Sequence, residues 1–132
     1  MSGIRVKTGS GNGEIRLPNG GSVDAGFTTL TLVSSGNTLS LYKDGTEISS
    51  VTHTYSMSSI IPSGDVLGYL GRSLYTSDSL LTADMSEVKF WDVALTSDQV
   101  SDSTPTPAER SALDTGLLRA DLASAMLGKN TS

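Results

Sequence analysis

The chain contains no cysteine. That excludes disulfides, a thiolate nucleophile and any cysteine-based zinc site. It contains one histidine, His53. A single imidazole leaves zinc without a ligand set, and no Gly-x-Ser-x-Gly elbow accompanies it to suggest a nucleophilic serine. Thr52-His53-Thr54 therefore reads as a polar strand segment. Charge is scarce, at 17% of residues, and cations are scarcer, with nine Lys and Arg against fourteen Asp and Glu. The net charge of −5 argues against a phosphate-backbone partner, which demands clustered cations. No segment approaches the ~20 apolar residues of a membrane span. No basic start followed by an apolar run marks a signal peptide, and Met1-Ser2-Gly3 reads as a start placed inside a longer protein. No repeat with a period of 20–50 residues is visible.

What the chain does have is small and polar. Its 132 residues include 22 Ser, 15 Thr and 14 Gly. Such a composition makes short strands joined by many turns. The length suits one domain, or one domain with a tail. Residues 1–100 carry the strands and turns, and residues 101–132 differ in texture. Ser101-Asp102-Ser103-Thr104-Pro105-Thr106-Pro107 separates the two as a linker, because two prolines in three residues cannot continue a helix.

Alternation of apolar and polar residues locates the strands. Ile15 and Leu17 alternate with Glu14 and Arg16. Thr28 to Val33 places Leu30 and Leu32 on one face, and the cluster Ser34-Ser35-Gly36-Asn37 then turns the chain. Thr38 to Lys43 points Leu39 and Leu41 inward and Tyr42 outward. Asp44-Gly45 follows directly, then Thr46 to Val51. Asp-Gly between two alternating runs predicts a hairpin with a type I′ turn, which needs positive φ at both central residues. Ser56 to Pro62 is irregular, with Met57, Ile60 and Ile61 as buried pegs. Val66 to Gly71 reads as a strand interrupted by glycine, a sign of a bulge or a close backbone approach. Glu87 to Asp92 alternates again, with Val88 and Phe90 on one face and Trp91 on the other. Two capping boxes follow: Thr96 with Gln99, and Thr106 with Glu109, the second with Pro107 as its first helical residue. In the tail, Leu113, Leu117 and Leu118 have helical spacing, which Gly116 weakens.

Three ordered pieces carry a family resemblance: Leu39-Ser40-Leu41-Tyr42-Lys43-Asp44-Gly45, Tyr69-Leu70-Gly71-Arg72-Ser73, and Leu81 through Val100. Together they resemble the laminin-G-like, concanavalin-A-like modules of bacterial surface and secreted proteins. Met85, Glu87, Val88, Phe90, Trp91, Ala94, Leu95 and Thr96 stand at matching positions of the last piece. Ala83, Ser86 and Phe27 depart from the family's usual Gly, Asp and Trp. The resemblance implies an all-β fold, an antiparallel two-sheet jelly-roll sandwich, here with a short helical C-terminal tail. It also implies that residues 1–100 lack the family's first strands. Exposed sheet edges would follow, and with them self-association or completion by a missing N-terminal segment. The stretch from Ala120-Asp121-Leu122 to Thr131-Ser132 resembles the entry into a bacterial immunoglobulin-like domain.

Function follows from the rings and the carboxylates. Some members of the fold are glucanases with acidic residues alternating on one strand. Asp84-Met85-Ser86-Glu87 is the nearest approach here and lacks the first acid, so catalysis is not expected. Gly9 to Gly13 resembles a phosphate loop only in composition, since no Gly-Lys-Ser/Thr follows. Asn130-Thr131-Ser132 matches the N-glycosylation pattern, which a bacterial source would leave unmodified. Sugar binding uses aromatic faces flanked by hydrogen-bonding groups. The expected carbohydrate-binding residues are Tyr69, Arg72, Tyr75, Asp78, Tyr42 and Trp91, with Arg72 as a forked donor. For Tyr42 and Trp91, which fit the family pattern, packing is the competing and favoured reading. The resemblance further implies Ca²⁺, with Asp65, Asp78 and Asp84 as candidate ligands at loop ends, against the simpler reading of turn aspartates. The expected role is a non-catalytic carbohydrate-binding accessory module of a secreted or cell-surface bacterial glycoside hydrolase. The alternative is a structural spacer or protein-interaction module without glycan affinity.

Overall fold

A computed structural model of the chain describes residues 5–7, 14–17, 26–55, 69–72 and 75–115. Two short strands, β1 (Arg5–Lys7) and β2 (Glu14–Arg16), pair antiparallel. Three longer ones, β3 (Leu30–Ser35), β4 (Thr38–Lys43) and β5 (Thr46–Thr52), form an antiparallel meander in that order. Helix α1 (Ser97–Asp102) follows, and residues 107–115 form a second helix, α2.

Both turns of the meander are dictated by their residues. Between β3 and β4 the first central residue, Gly36, has φ +54° and Asn37 stays negative, the pattern of a type II′ turn. Between β4 and β5, Asp44 has φ 51° and Gly45 φ +84°, the type I′ pattern expected from Asp-Gly. Asp44 also does more than turn the chain. Its backbone N–H donates to the Thr29 carbonyl at 2.8 Å, and its carboxylate accepts from the Thr29 N–H at 2.9 Å. The same carboxylate oxygen lies 3.1 Å from the Arg110 guanidinium on α2.

The sheet is covered on both faces. On one, Leu39 and Leu41 are buried against Leu17, with Ile48 and Val51 beside them. On the other, Val33 and Tyr42 pack on Val100 of α1 and on Leu95. The register explains Ile48. Leu41 pairs with Ser49 while Tyr42 pairs with Glu47, so Ile48 is an extra residue, a β-bulge. The bulge brings Ile48 and Val51, three apart in sequence, to the same cluster. Helix α1 begins in the expected capping box: the Gln99 N–H donates to Thr96 Oγ1, and Gln99 Oε1 accepts from the Thr96 N–H. Glu109 and Thr106 repeat that reciprocal pair at the start of α2.

Three expectations change. Residues 87–92 form no strand; among the described residues nothing pairs with them, and Val88, Phe90 and Trp91 are all exposed. An alternating pattern becomes a strand only where a partner satisfies its backbone. Of the strand expected at Val66 to Gly71, residues 66–68 lie outside the described residues, and 69–71 form no strand but a bend, with Gly71 at φ +70°. The strand expected at Thr28–Val33 begins and ends two residues later, at Leu30 and Ser35. Met57, Ile60, Ile61, the stretch 120–132 and the Gly9–Gly13 run lie outside the described residues.

Asp44→Ala removes both carboxylate contacts and leaves a left-handed residue without its local stabilisation. The expected cost is about 1–2 kcal/mol, read from the urea midpoint. Arg110→Ala loses only a partly exposed ion pair and is expected to cost under about 1 kcal/mol. Equal losses in the two variants would show that the carboxylate serves the ion pair alone.

Candidate functional site

Four of the six expected sugar-binding residues fall on one exposed loop. The loop is closed by the Leu81 N–H, which donates to the Gly71 carbonyl at 2.8 Å. Within it the Asp78 N–H donates to the Tyr75 carbonyl at 3.2 Å, which sets a tight turn over 75–78. Gly71 supplies the left-handed residue at the loop's entry. A Cβ there would stand 3.3 Å from Met85 Cε and 3.6 Å from Leu81 Cβ, so the backbone passes close to those two side chains.

On this loop the Arg72 guanidinium lies over the Tyr69 ring, 4.7 Å from its centroid. Stacking holds a long side chain at low entropic cost and leaves its edge donors pointing outward. Tyr69 and Tyr75 are 43% and 51% exposed, so both rings offer surface to solvent. Asp78 and Arg72 are exposed as well. Rings, a forked cation and a carboxylate thus share one short surface segment, with the chemistry needed to stack on and hydrogen-bond to a polar ring.

The other two residues go elsewhere. Tyr42 is buried between Val33 and Val100, and its ring faces are taken up by packing. Burial, with help from a hydrogen bond to Glu47 and that residue's negative charge, raises its phenol above the ordinary value. Trp91 is 44% exposed but lies in the irregular segment 86–95, apart from the 69–81 loop. Of the candidate calcium ligands, Asp78 and Asp84 are described and exposed, and Asp65 lies outside the described residues. Among the described residues no three His, Asp or Glu side chains gather to hold a metal ion. Asp78 and Asp84 do not by themselves make an oxygen cage for Ca²⁺.

A second feature was not legible in the sequence. A groove of about 720 Å³ runs between β3 and residues 86–95. Leu30 and Leu32 on one wall and Val88 and Phe90 on the other leave much of their surface exposed, Phe90 88% of it. At one end stand Ser34 and His53. His53 is only 6% exposed, yet its Nδ1 and the buried Ser34 Oγ have no hydrogen-bond partner among the described residues. His53 is expected from the sequence to be a polar strand residue; in the fold its side chain is buried and its backbone N–H donates to the Asn37 carbonyl at the end of the sheet. Among the described residues no helix is long and apolar enough to cross a membrane.

Comparison with known proteins bears on the fold. A family model described as the concanavalin A-like lectin/glucanases superfamily matches residues 2–101. A search of curated proteins finds no match. Among solved structures, the chain is similar to residues 221–444 of an S-layer domain-containing protein from Clostridium thermocellum, with a TM-score of 0.50 and 19% identity. The likeness covers 76% of this chain and 62% of that one, so the chain spans less than two thirds of the neighbour's length. At that identity the likeness is one of fold.

The raised phenol makes a prediction about alkaline stability. A raised folded-state value stabilises the fold fully below the ordinary phenol value of about 10, and the contribution is lost as pH rises through the folded value. Unfolding midpoints of the parent chain are expected to fall above about pH 10 more steeply than those of Tyr42→Phe. Parallel alkaline slopes would place the loss on other groups.

Proposed function

Because the chain belongs to the concanavalin A-like lectin/glucanase superfamily, we propose that it is a non-catalytic, glycan-binding accessory module of a bacterial secreted or cell-surface protein, such as a glycoside hydrolase. The observation that carries this reading is the Arg72–Tyr69 stack on a loop that also exposes Tyr75 and Asp78. A sugar ring presents a polar rim and a weakly polar face. The ring of Tyr75 meets the face, while Arg72 and Asp78 meet the hydroxyls at the rim. Tethering by such a module raises the effective concentration of substrate near an attached enzyme. The three-stranded sheet and the helices are read as part of a two-sheet jelly roll whose other sheet includes β1 and β2.

A second reading has one specific support. The structural neighbour is residues 221–444 of an S-layer domain-containing protein, which favours a spacer or protein-interaction module at the cell surface, without affinity for glycans.

Affinity electrophoresis of the whole chain through gels containing arabinan, xylan or mucin glycans separates the two. Retardation by one glycan is expected, with affinity reduced at least about tenfold, or about 1.4 kcal/mol, in Arg72→Ala and in Tyr75→Ala. Repeating the gels with and without Ca²⁺ tests the implied cation: dependence requires ligands beyond Asp78 and Asp84. No retardation of a chain shown to be folded by circular dichroism would overturn the glycan reading in favour of the spacer.

A further inference from the structure

Cations are few in this chain, and those whose surroundings are described are mostly engaged. The Lys and Arg side chains described are Lys43, Arg72, Lys89 and Arg110. Lys89 Nζ stands 3.1 Å from Glu87 Oε2, and Arg110 Nη1 stands 3.1 Å from Asp44 Oδ1. Lys43 has a partner as well. Arg72 differs. Among the described residues no carboxylate pairs with it. Its guanidinium lies instead over the Tyr69 ring, 4.7 Å from the centroid, and the residue is exposed. In a chain with fourteen Asp and Glu, a guanidinium left without one is open to an anion from outside.

The stack decides what that anion can be. One face of the guanidinium is covered by the ring, and its N–H donors lie in the plane, directed outward from the edge. Such an edge matches a planar carboxylate through two parallel bonds. Charge-assisted bonds of this kind are roughly twice as strong as those between neutral groups. The planar fork is also pre-organised, so less side-chain freedom is lost for each bond formed. A neutral sugar leaves that advantage unused.

Asp78 restricts the ligand further. It is exposed on the same loop, in the turn its N–H closes on the Tyr75 carbonyl at 3.2 Å. An ionised carboxylate only accepts, so it requires hydroxyl donors from the ligand. It also repels a second negative charge brought close to it. The whole chain carries a net charge of −5, and a densely charged polymer meets that repulsion along its length. The loop therefore suits one acid beside several hydroxyls.

We propose that this loop selects an acidic sugar, an inference that rests on the glycan reading. The ligand is a pyranose bearing one carboxylate, set singly on an otherwise neutral glycan. Arg72 takes the carboxylate through its fork. Asp78 accepts from ring hydroxyls, and the half-exposed Tyr75 lies against the face of the sugar. Uronates on xylans and sialates on mucins share this chemistry.

Affinity electrophoresis of the whole chain tests the proposal. The gels contain glucuronoxylan, the same polymer with its carboxylates reduced to alcohols, polygalacturonate, or mucin before and after sialidase. The parent is expected to bind an acidic glycan and to lose about tenfold in affinity when the carboxylate is reduced or the sialate removed. Salt is expected to weaken binding of the acidic form alone. Arg72→Ala is expected to bind both forms alike, at the parent's affinity for the neutral one. Arg72→Lys keeps the charge without the fork, and is expected to fall between the two and to retain the salt dependence. Retardation by glucuronoxylan assigns a hexuronate. Retardation by mucin only before sialidase assigns a sialate. A parent that binds each glycan equally with and without its carboxylates would overturn the inference and leave the glycan reading standing. So would a carboxylate preference that survives in Arg72→Ala, or tighter binding of polygalacturonate than of the sparsely charged polymers. No retardation by any polymer would overturn the glycan reading itself, and the inference with it.

Discussion

Asp44 holds three parts of the molecule together from a left-handed backbone that few residues adopt. Its conformation turns β4 into β5. Its N–H and its carboxylate close both backbone groups of Thr29, which fixes where β3 enters the sheet. Its ion pair with Arg110 then ties α2 to the tip of the hairpin. Gly45, beside it, allows the end of α1 to come near: a Cβ there would lie 3.4 Å from Ser101 Cα. Entry of β3, the β4–β5 reversal and the seating of both helices therefore depend on one dipeptide. A substitution at either position acts on all of them at once.

Much of this was legible in the sequence because it is local. Asp-Gly demands positive φ at both positions, and both are positive. Thr96 with Gln99 and Thr106 with Glu109 are spaced to satisfy each other's N–H groups, and both pairs form. The alternation of Leu39 and Leu41 against Tyr42 correctly divides them between two faces. The family resemblance read from three short pieces agrees with the match over residues 2–101.

What was not legible depends on contacts far apart in the chain. Glu87 to Asp92 has a strand's alternation, but pattern supplies only half of a strand; the other half is a partner for its backbone. Tyr42 has the same outward parity as a solvent-facing ring, and only the approach of Val100 makes that face interior. Ser34 lies in β3 and His53 just past the end of β5, and they carry no shared motif. Their joint isolation from partners appears only once β3, β4 and β5 are laid side by side. Of the candidate site, the grouping of Tyr69, Arg72, Tyr75 and Asp78 on one loop was foreseeable from their closeness in sequence. The stack of Arg72 on Tyr69 was not, because it depends on the bend at Gly71.

The bulge at Ile48 has a consequence for how this sequence can change through descent. It is a phase marker in β5. Toward the turn, residues fall on one parity with respect to β4, and beyond it on the other. Deleting one residue between Thr46 and Ile48 would straighten the ladder at the cost of an apolar anchor. Inserting one beyond Ile48 would turn Val51 away from Leu39 and carry His53 off the inner face. Substitutions along β5 can therefore accumulate singly, whereas length changes must arrive in compensating pairs. Related chains should then differ in the residues of this strand long before they differ in its length.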